Sequence, residues 1–115
     1  MTFIFGVIGA AAQSTRRASG GGGGSGYGTI TGYYNSTDSD SFCSSVGNIA
    51  VTVYYSGSGT KTFSEVYNSG STIFSNTALT TSASSGIYGA QNGGTGNEWV
   101  EWKIGSGWVD ISICR

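Results

Sequence analysis

Five consecutive glycines at positions 20–24, closed by Ser25-Gly26, divide this chain into two parts that cannot share one folding pattern. A backbone without Cβ atoms loses the most freedom on ordering, so such a run separates structural units. Ahead of it stand an apolar stretch, residues 3–12, and the pair Arg16-Arg17. Behind it, residues 27–115 are rich in Ser, Thr, Gly, Asn and aromatics, with short runs of β-type alternation. The break defines a docking arm over 1–19, a Gly-rich tether over 20–26 and a β domain over 27–115. The glycine run lacks a Lys-Ser/Thr ending and a preceding buried strand, so a flexible linker is a far better reading than a phosphate cradle.

In the arm, Phe3, Ile4, Phe5, Val7 and Ile8 are the expected anchor. Burying each contributes about 1.5–3 kcal/mol before ordering costs. Arg16 and Arg17 are suited to grip acidic groups or carbonyls on a receiving surface. Residues 1–12 also have the outline of a secretory signal, with Ala10-Ala11-Ala12 as a cleavage site. No positive side chain precedes the apolar run, and the arginines follow it, which favours a docking peptide. An interfacial membrane anchor is a third reading. An apolar run of about ten residues is too short to span a bilayer, which takes ~20, so no transmembrane segment is expected.

The domain is small enough that its core alone gives marginal stability, and it needs a staple, a partner or both. Charged residues are 10% of the chain, against about 25% in ordinary soluble domains. With 21 glycines and abundant Ser/Thr, this suits an extracellular or particle-bound β protein. The arm carries +2. The domain carries −3, from Lys61, Lys103 and Arg115 against Asp38, Asp40, Glu65, Glu98, Glu101 and Asp110. It has no basic stripe, so nucleic acid is not an expected partner.

Histidine is absent and there are two cysteines, which removes the commonest acid/base group and any multi-Cys zinc site within one chain. Glu98 and Glu101, three apart in a strand pattern, face opposite sides and make a poor acid/base pair. No catalytic residue, cofactor or metal is expected, and the chain reads as a non-enzyme.

Short β runs recur at residues 29–34 (TITGYY), 49–55 (IAVTVYY), 61–67 (KTFSEVY), 71–74 (STIF), 86–90 (GIYGA), 98–104 (EWVEWKI) and 108–114 (WVDISIC). Residues 56–60 (SGSGT) read as a hairpin turn that returns 61–67 antiparallel to 49–55. Residues 78–83 (ALTTSA) are ambiguous between strand and one helical turn. The expected fold is all-β: a small sandwich or open barrel of seven or eight short strands.

Cys43 and Cys114 nearly bracket the domain. Paired, they close a loop of about 70 residues, worth roughly 4 kcal/mol in the chain-entropy model. Two buried free thiols are the alternative. The disulfide is favoured, and it implies oxidising surroundings.

Trp99, Trp102 and Trp108 gather in the C-terminal hairpin, as core or interface area or as a sugar-stacking surface. Alternation puts Trp99 with Glu101 and Lys103 on one face, the expected exposed side and a possible glycan contact. It puts Trp102 with Val100 and Ile104 on the core side. Asp38-Ser39-Asp40, near Asn35, lacks the pattern of a calcium loop and reads as a solvated turn. Asn35-Ser36-Thr37 is a formal glycosylation sequon.

Cys43 ahead of the strand at 51–55, the run VYNSGSTIFSNTALTTSASSGIY over 66–88, and the closing tryptophan strand ending in Cys114 resemble small Cys-framed β modules of bacteriophage tail fibres and other virion appendages. The resemblance covers residues 43–115 and leaves out the arm. It implies structural cysteines, attachment or decoration, and no catalytic residue. The expected function is a virion structural protein (tail fibre, baseplate or capsid decoration component) that docks by its arm in a homo-oligomer or hetero-assembly and displays its β domain. The alternative is a secreted carbohydrate-binding module or adhesin on a host-surface glycan.

Overall fold

Strands β1 (Tyr27–Asn35) and β2 (Ile49–Ser56) form an antiparallel pair, in register from Tyr27 opposite Ser56 to Tyr34 opposite Ile49. Their alternation sorts side chains onto two faces. Ile30, Val51, Val53 and Tyr55 point to one face, where they form or flank the main core. Thr29, Thr31, Thr52 and Tyr54 point to the other. These strands belong to a computed structural model that describes residues 26–115. The expected docking arm, and all of the expected tether but Gly26, lie outside the described residues.

A short helix, α1 (Ser39–Cys43), interrupts the connection between the two strands. Asp38 is its N-cap: the carboxylate accepts the Ser41 N–H at 2.8 Å. That bond holds the Asp38 carboxyl below the usual carboxylate range. The expected solvated turn is therefore the start of a helix.

Residues 61–67 do not return as a strand. They lead into helix α2 (Phe63–Ser69). Thr62 and Glu65 form a capping box: Thr62 Oγ1 accepts the Glu65 N–H at 3.2 Å, and the Glu65 carboxylate accepts the Thr62 N–H at 2.8 Å. Gly70 ends the helix at φ 69°, a left-handed position that suits glycine. Phe63 and Val66, three apart, turn one helical face into the core.

The remaining strands are β3 (Ile73–Phe74), β4 (Gly86–Gly89), β5 (Glu98–Lys103) and β6 (Gly107–Ile113). All six join one antiparallel sheet in the order β3-β2-β1-β4-β5-β6, curved into a half-barrel. The described residues thus hold six strands in one sheet, not the expected seven or eight. The run at 61–67 became α2. Residues 78–83 contribute only an isolated bridge, Ser82 to Phe74. A bulge in the β5–β6 pairing puts Glu101 opposite Asp110 and Trp102 opposite Trp108, leaving Val109 as the extra residue. No helix among the described residues is long and apolar enough to cross a membrane.

The main core fills one side of the sheet, where α2 packs Phe63 and Val66 against Ile30, Val53, Tyr88, Val100 and Trp102. The long β3–β4 connection, 75–85, closes the same side with little regular structure. Three consecutive carbonyls fasten it. Ala83 O accepts Trp102 Nε1–H at 3.1 Å, Ser84 O accepts the Tyr88 hydroxyl at 2.6 Å, and Ser85 O accepts the Tyr34 hydroxyl at 2.6 Å. Burial pushes the phenols of Tyr88 and Tyr34 above the ordinary tyrosine range.

Candidate functional site

A second, smaller cluster lies on the opposite face of the sheet: Phe42 of α1 packs with Ile87, Trp99 and Cys114. Gly89 admits the Phe42 ring, because a Cβ there would stand 2.5 Å from Phe42 Cζ. Cys43, at the end of α1, is bonded to Cys114, which follows β6. Their Cα atoms are 5.4 Å apart and 71 residues apart in sequence. The favoured pairing is thus present. It joins the helix to the C-terminal strand on this second face.

Trp99 is consequently not the exposed aromatic of this hairpin. It is only 9% exposed, covered by Phe42 and the disulfide. Trp99 lies on the face opposite Trp102, as its alternation predicts, but α1 roofs that face. Beside Trp99 on that face, Glu101 is half-buried and Lys103 exposed. Trp102 is in the core, as expected, at 4% exposure. Ile104, expected inward, is 58% exposed because it starts the β5–β6 turn. The anchor residues Phe3, Ile4, Phe5, Val7, Ile8, Arg16 and Arg17 lie outside the described residues.

A side-chain amide network braces α1. Asn35 is 1% exposed. Its Nδ2 donates to Val46 O and Asn48 Oδ1, both at 2.8 Å, and its Oδ1 accepts the Thr37 N–H at 2.8 Å. Asn48 Nδ2 continues to Phe42 O at 2.8 Å and Asn92 Oδ1 at 3.0 Å. The Gly-rich loop 91–97 closes over the disulfide: Gly94 N–H donates to Cys43 O, and Gly96 N–H to Cys114 O, each at 2.8 Å. Asn35 is therefore a structural residue. Both amide hydrogens of its sequon side chain are occupied in the folded domain.

The accessible part of this second face on β1 and β2 is the best candidate site. Neither strand contains a charged residue. Thr31, Ala50 and Thr52 are exposed, with Tyr33 and Tyr54 half-buried beside them. Thr31, Tyr33, Ala50, Thr52 and Ala90 surround a shallow depression. Tyr27 and Tyr54 meet edge-to-face at 5.5 Å between ring centroids. Such a surface offers ring faces for stacking and hydroxyls that both donate and accept. Its groups are uncharged rings and hydroxyls. The sequence carries the signal of this face as Tyr and Thr at alternate positions of two charge-free strands.

Among the described residues, no three His, Cys, Asp or Glu side chains come together as a metal site. The carboxylate of Asp38 is engaged in helix capping and the amide of Asn35 in bracing, so the 35–40 segment serves α1. The fold and its surface define the class: a disulfide-closed β half-barrel with an uncharged aromatic and hydroxyl face. No family model matches the chain, and neither curated proteins nor solved structures yield a match.

Proposed function

We propose that this chain is a non-enzymatic structural component of a bacteriophage virion, in its tail fibre, baseplate or capsid decoration. The arm docks into the particle and the β domain is displayed. The observation that carries this reading is the domain's closure upon itself. It begins at Tyr27, directly after the glycines, and is tied across 71 residues by Cys43–Cys114. A folded unit delivered on a tether after an apolar, basic arm suits attachment to a larger body. A disulfide that holds so small a core suits an extracellular particle. Partners in the particle are other structural proteins or further copies of the chain.

The test is the protein composition of purified particles. The intact chain, retaining residues 1–12 and in stoichiometric ratio to the major structural proteins, is expected. A chain found only free in the medium, starting near Gln13, contradicts assembly and supports secretion.

The alternative, a secreted carbohydrate-binding module or adhesin, is favoured by one observation: the charge-free face with Tyr33 and Tyr54 around Thr31 and Thr52. Under that reading the glycan contact moves from Trp99 to this face. Thr31→Arg then abolishes binding on a glycan array while the melting temperature holds. Unchanged binding removes the face from recognition.

A further inference from the structure

Among the described residues, the large apolar side chains left exposed are Val46, Ile49, Ile104, Val109 and Ile113. Val46 and Ile49 stand just before or at the start of β2, and the other three just before or on β6. Both strands have an open edge, which natural sheets usually blunt. β6 pairs with β5 alone. Its Ile111 N–H is held by Asp110 Oδ1 at 2.8 Å, a side chain and no strand. On the other side of the sheet, β3 pairs with β2 only at Tyr54 and Tyr55, so residues 49–53 have β1 as their single strand partner. Thr29 turns its N–H and C=O away from β2, to Gly59 and Lys61. Its partner Tyr54 therefore turns its own groups to the outer edge, and by alternation so do Thr52 and Ala50. An apolar cavity of about 160 Å³, lined in part by Ile49, Val51, Val53 and Ala83, adjoins this half-strand.

We infer that these two edges join between copies of the chain: β6 of one copy adds to residues 49–53 of β2 in the next. The topology sets the direction. Four antiparallel pairings separate β2 from β6, so the two strands run the same way. A copy moved sideways without being turned brings its β6 parallel to its neighbour's β2, with the same face up. Val51 and Ile111 both flank the main core and so share that face. Side by side, they let the Ile111 N–H leave Asp110 for the Ala50 carbonyl, while the Ile111 carbonyl accepts the Thr52 N–H. The exposed Ile113 comes beside Val53, and pairing ends there, where β3 covers Tyr54.

Charge selects this pairing over a symmetric one. β2 contains no charged residue, whereas residues 98–113 carry Glu98, Glu101 and Asp110 against Lys103. Two β6 edges would set like charges against each other and leave Val46 and Ile49 uncovered. A junction of two unlike edges is not closed by its second member. Repeated, it builds a ring or a filament. One junction is a few backbone bonds and a narrow apolar strip, so assembly depends on concentration. It belongs to the folded domain and stands or falls apart from docking in a particle.

The test is sedimentation velocity of the full chain and of its Ile49→Asp and Ile113→Asp variants, alone and mixed, up to the highest soluble concentration. Each substitution puts a carboxylate on one edge, at an exposed position, and leaves the other edge intact. The parent is expected to grow beyond dimers as concentration rises. Each variant alone is expected to associate at least about 10-fold more weakly, because the junction would bury an unpaired charge. The equimolar mixture is expected to form dimers and stop there, since each variant supplies the edge that the other lacks. A parent that stays monomeric overturns the pairing. So does association that survives Ile49→Asp, the sign of a β6–β6 contact, and so does a mixture that stays monomeric. Both variants should melt with the parent, which places their effect at the edges.

Discussion

Trp102 Nε1 donates to the carbonyl of Ala83 at 3.1 Å, in the core and across 19 residues of sequence. The ring belongs to β5 and the carbonyl to the loosely structured β3–β4 connection. One side chain thus helps fill the main core and fastens the segment that covers it. Tyr88 and Tyr34 repeat the arrangement on Ser84 and Ser85.

Trp102→Ala is expected to cost about 3–5 kcal/mol, as for other large core aromatics, with a further penalty for the stranded Ala83 carbonyl. Trp99→Ala is expected to destabilise as well, because its ring is buried under Phe42 and Cys114. Denaturant melts of both variants check this. A stable, fully folded Trp99→Ala protein would contradict the burial of that ring.

Loss of the Cys43–Cys114 bond is expected to remove roughly 4 kcal/mol, since the loop it closes is long. At several degrees per kcal/mol for a domain of this size, Cys114→Ser should melt about 15–30 °C lower. Calorimetry with and without reductant measures it. A transition that neither reductant nor substitution moves would show that the bond adds nothing.

Thr62→Ala tests the helix that replaced an expected strand. Removing the capping-box hydroxyl should cost about 0.5–2 kcal/mol, and Glu65→Ala should be only partly additive with it, because the two groups act as one unit. A double-mutant cycle by urea melting reads the coupling. Strict additivity would argue against the reciprocal cap.

Strand periodicity is legible in this sequence where short helices are not, for a physical reason. Period-two alternation made the β class and the burial of Trp102 legible. Alternation alone does not tell which face a distant element covers. α1 is five residues long and α2 seven, too short to display a 3.6-residue apolar period. Their real signals were caps: Asp38 before Ser41, and Thr62 with Glu65. In KTFSEVY the alternation of Thr, Ser and Val read as a strand, while the Thr-x-x-Glu spacing specified a helix start. Because α1 covers Trp99, that ring is buried where alternation alone predicts exposure. The cysteine pairing was legible from chain length and cysteine count, whereas the amide network around Asn35 depends on tertiary placement.

Stability should also fall in alkali. Tyr88 and Tyr34 have phenol pKa values raised in the folded domain from 10.0, chiefly by burial. Above pH 10 the unfolded chain releases these protons while the folded chain retains them, so unfolding gains with rising pH. Both groups therefore contribute stability that is present below pH 10 and lost above it. Urea midpoints measured from pH 8 to 11 should be level at first and then decline, and Tyr88→Phe should flatten the decline. An unchanged profile in Tyr88→Phe would assign the alkaline loss to other groups.

The most direct measurement is particle occupancy of a chain lacking residues 2–17. The domain from Tyr27 onward contains its own sheet, two hydrophobic clusters and disulfide, so the shortened chain should fold and melt as a single β domain. Quantitative mass spectrometry of purified particles should find it absent, with the intact chain present at stoichiometric level. Normal occupancy of the shortened chain would contradict docking by the arm and transfer attachment to the β domain itself.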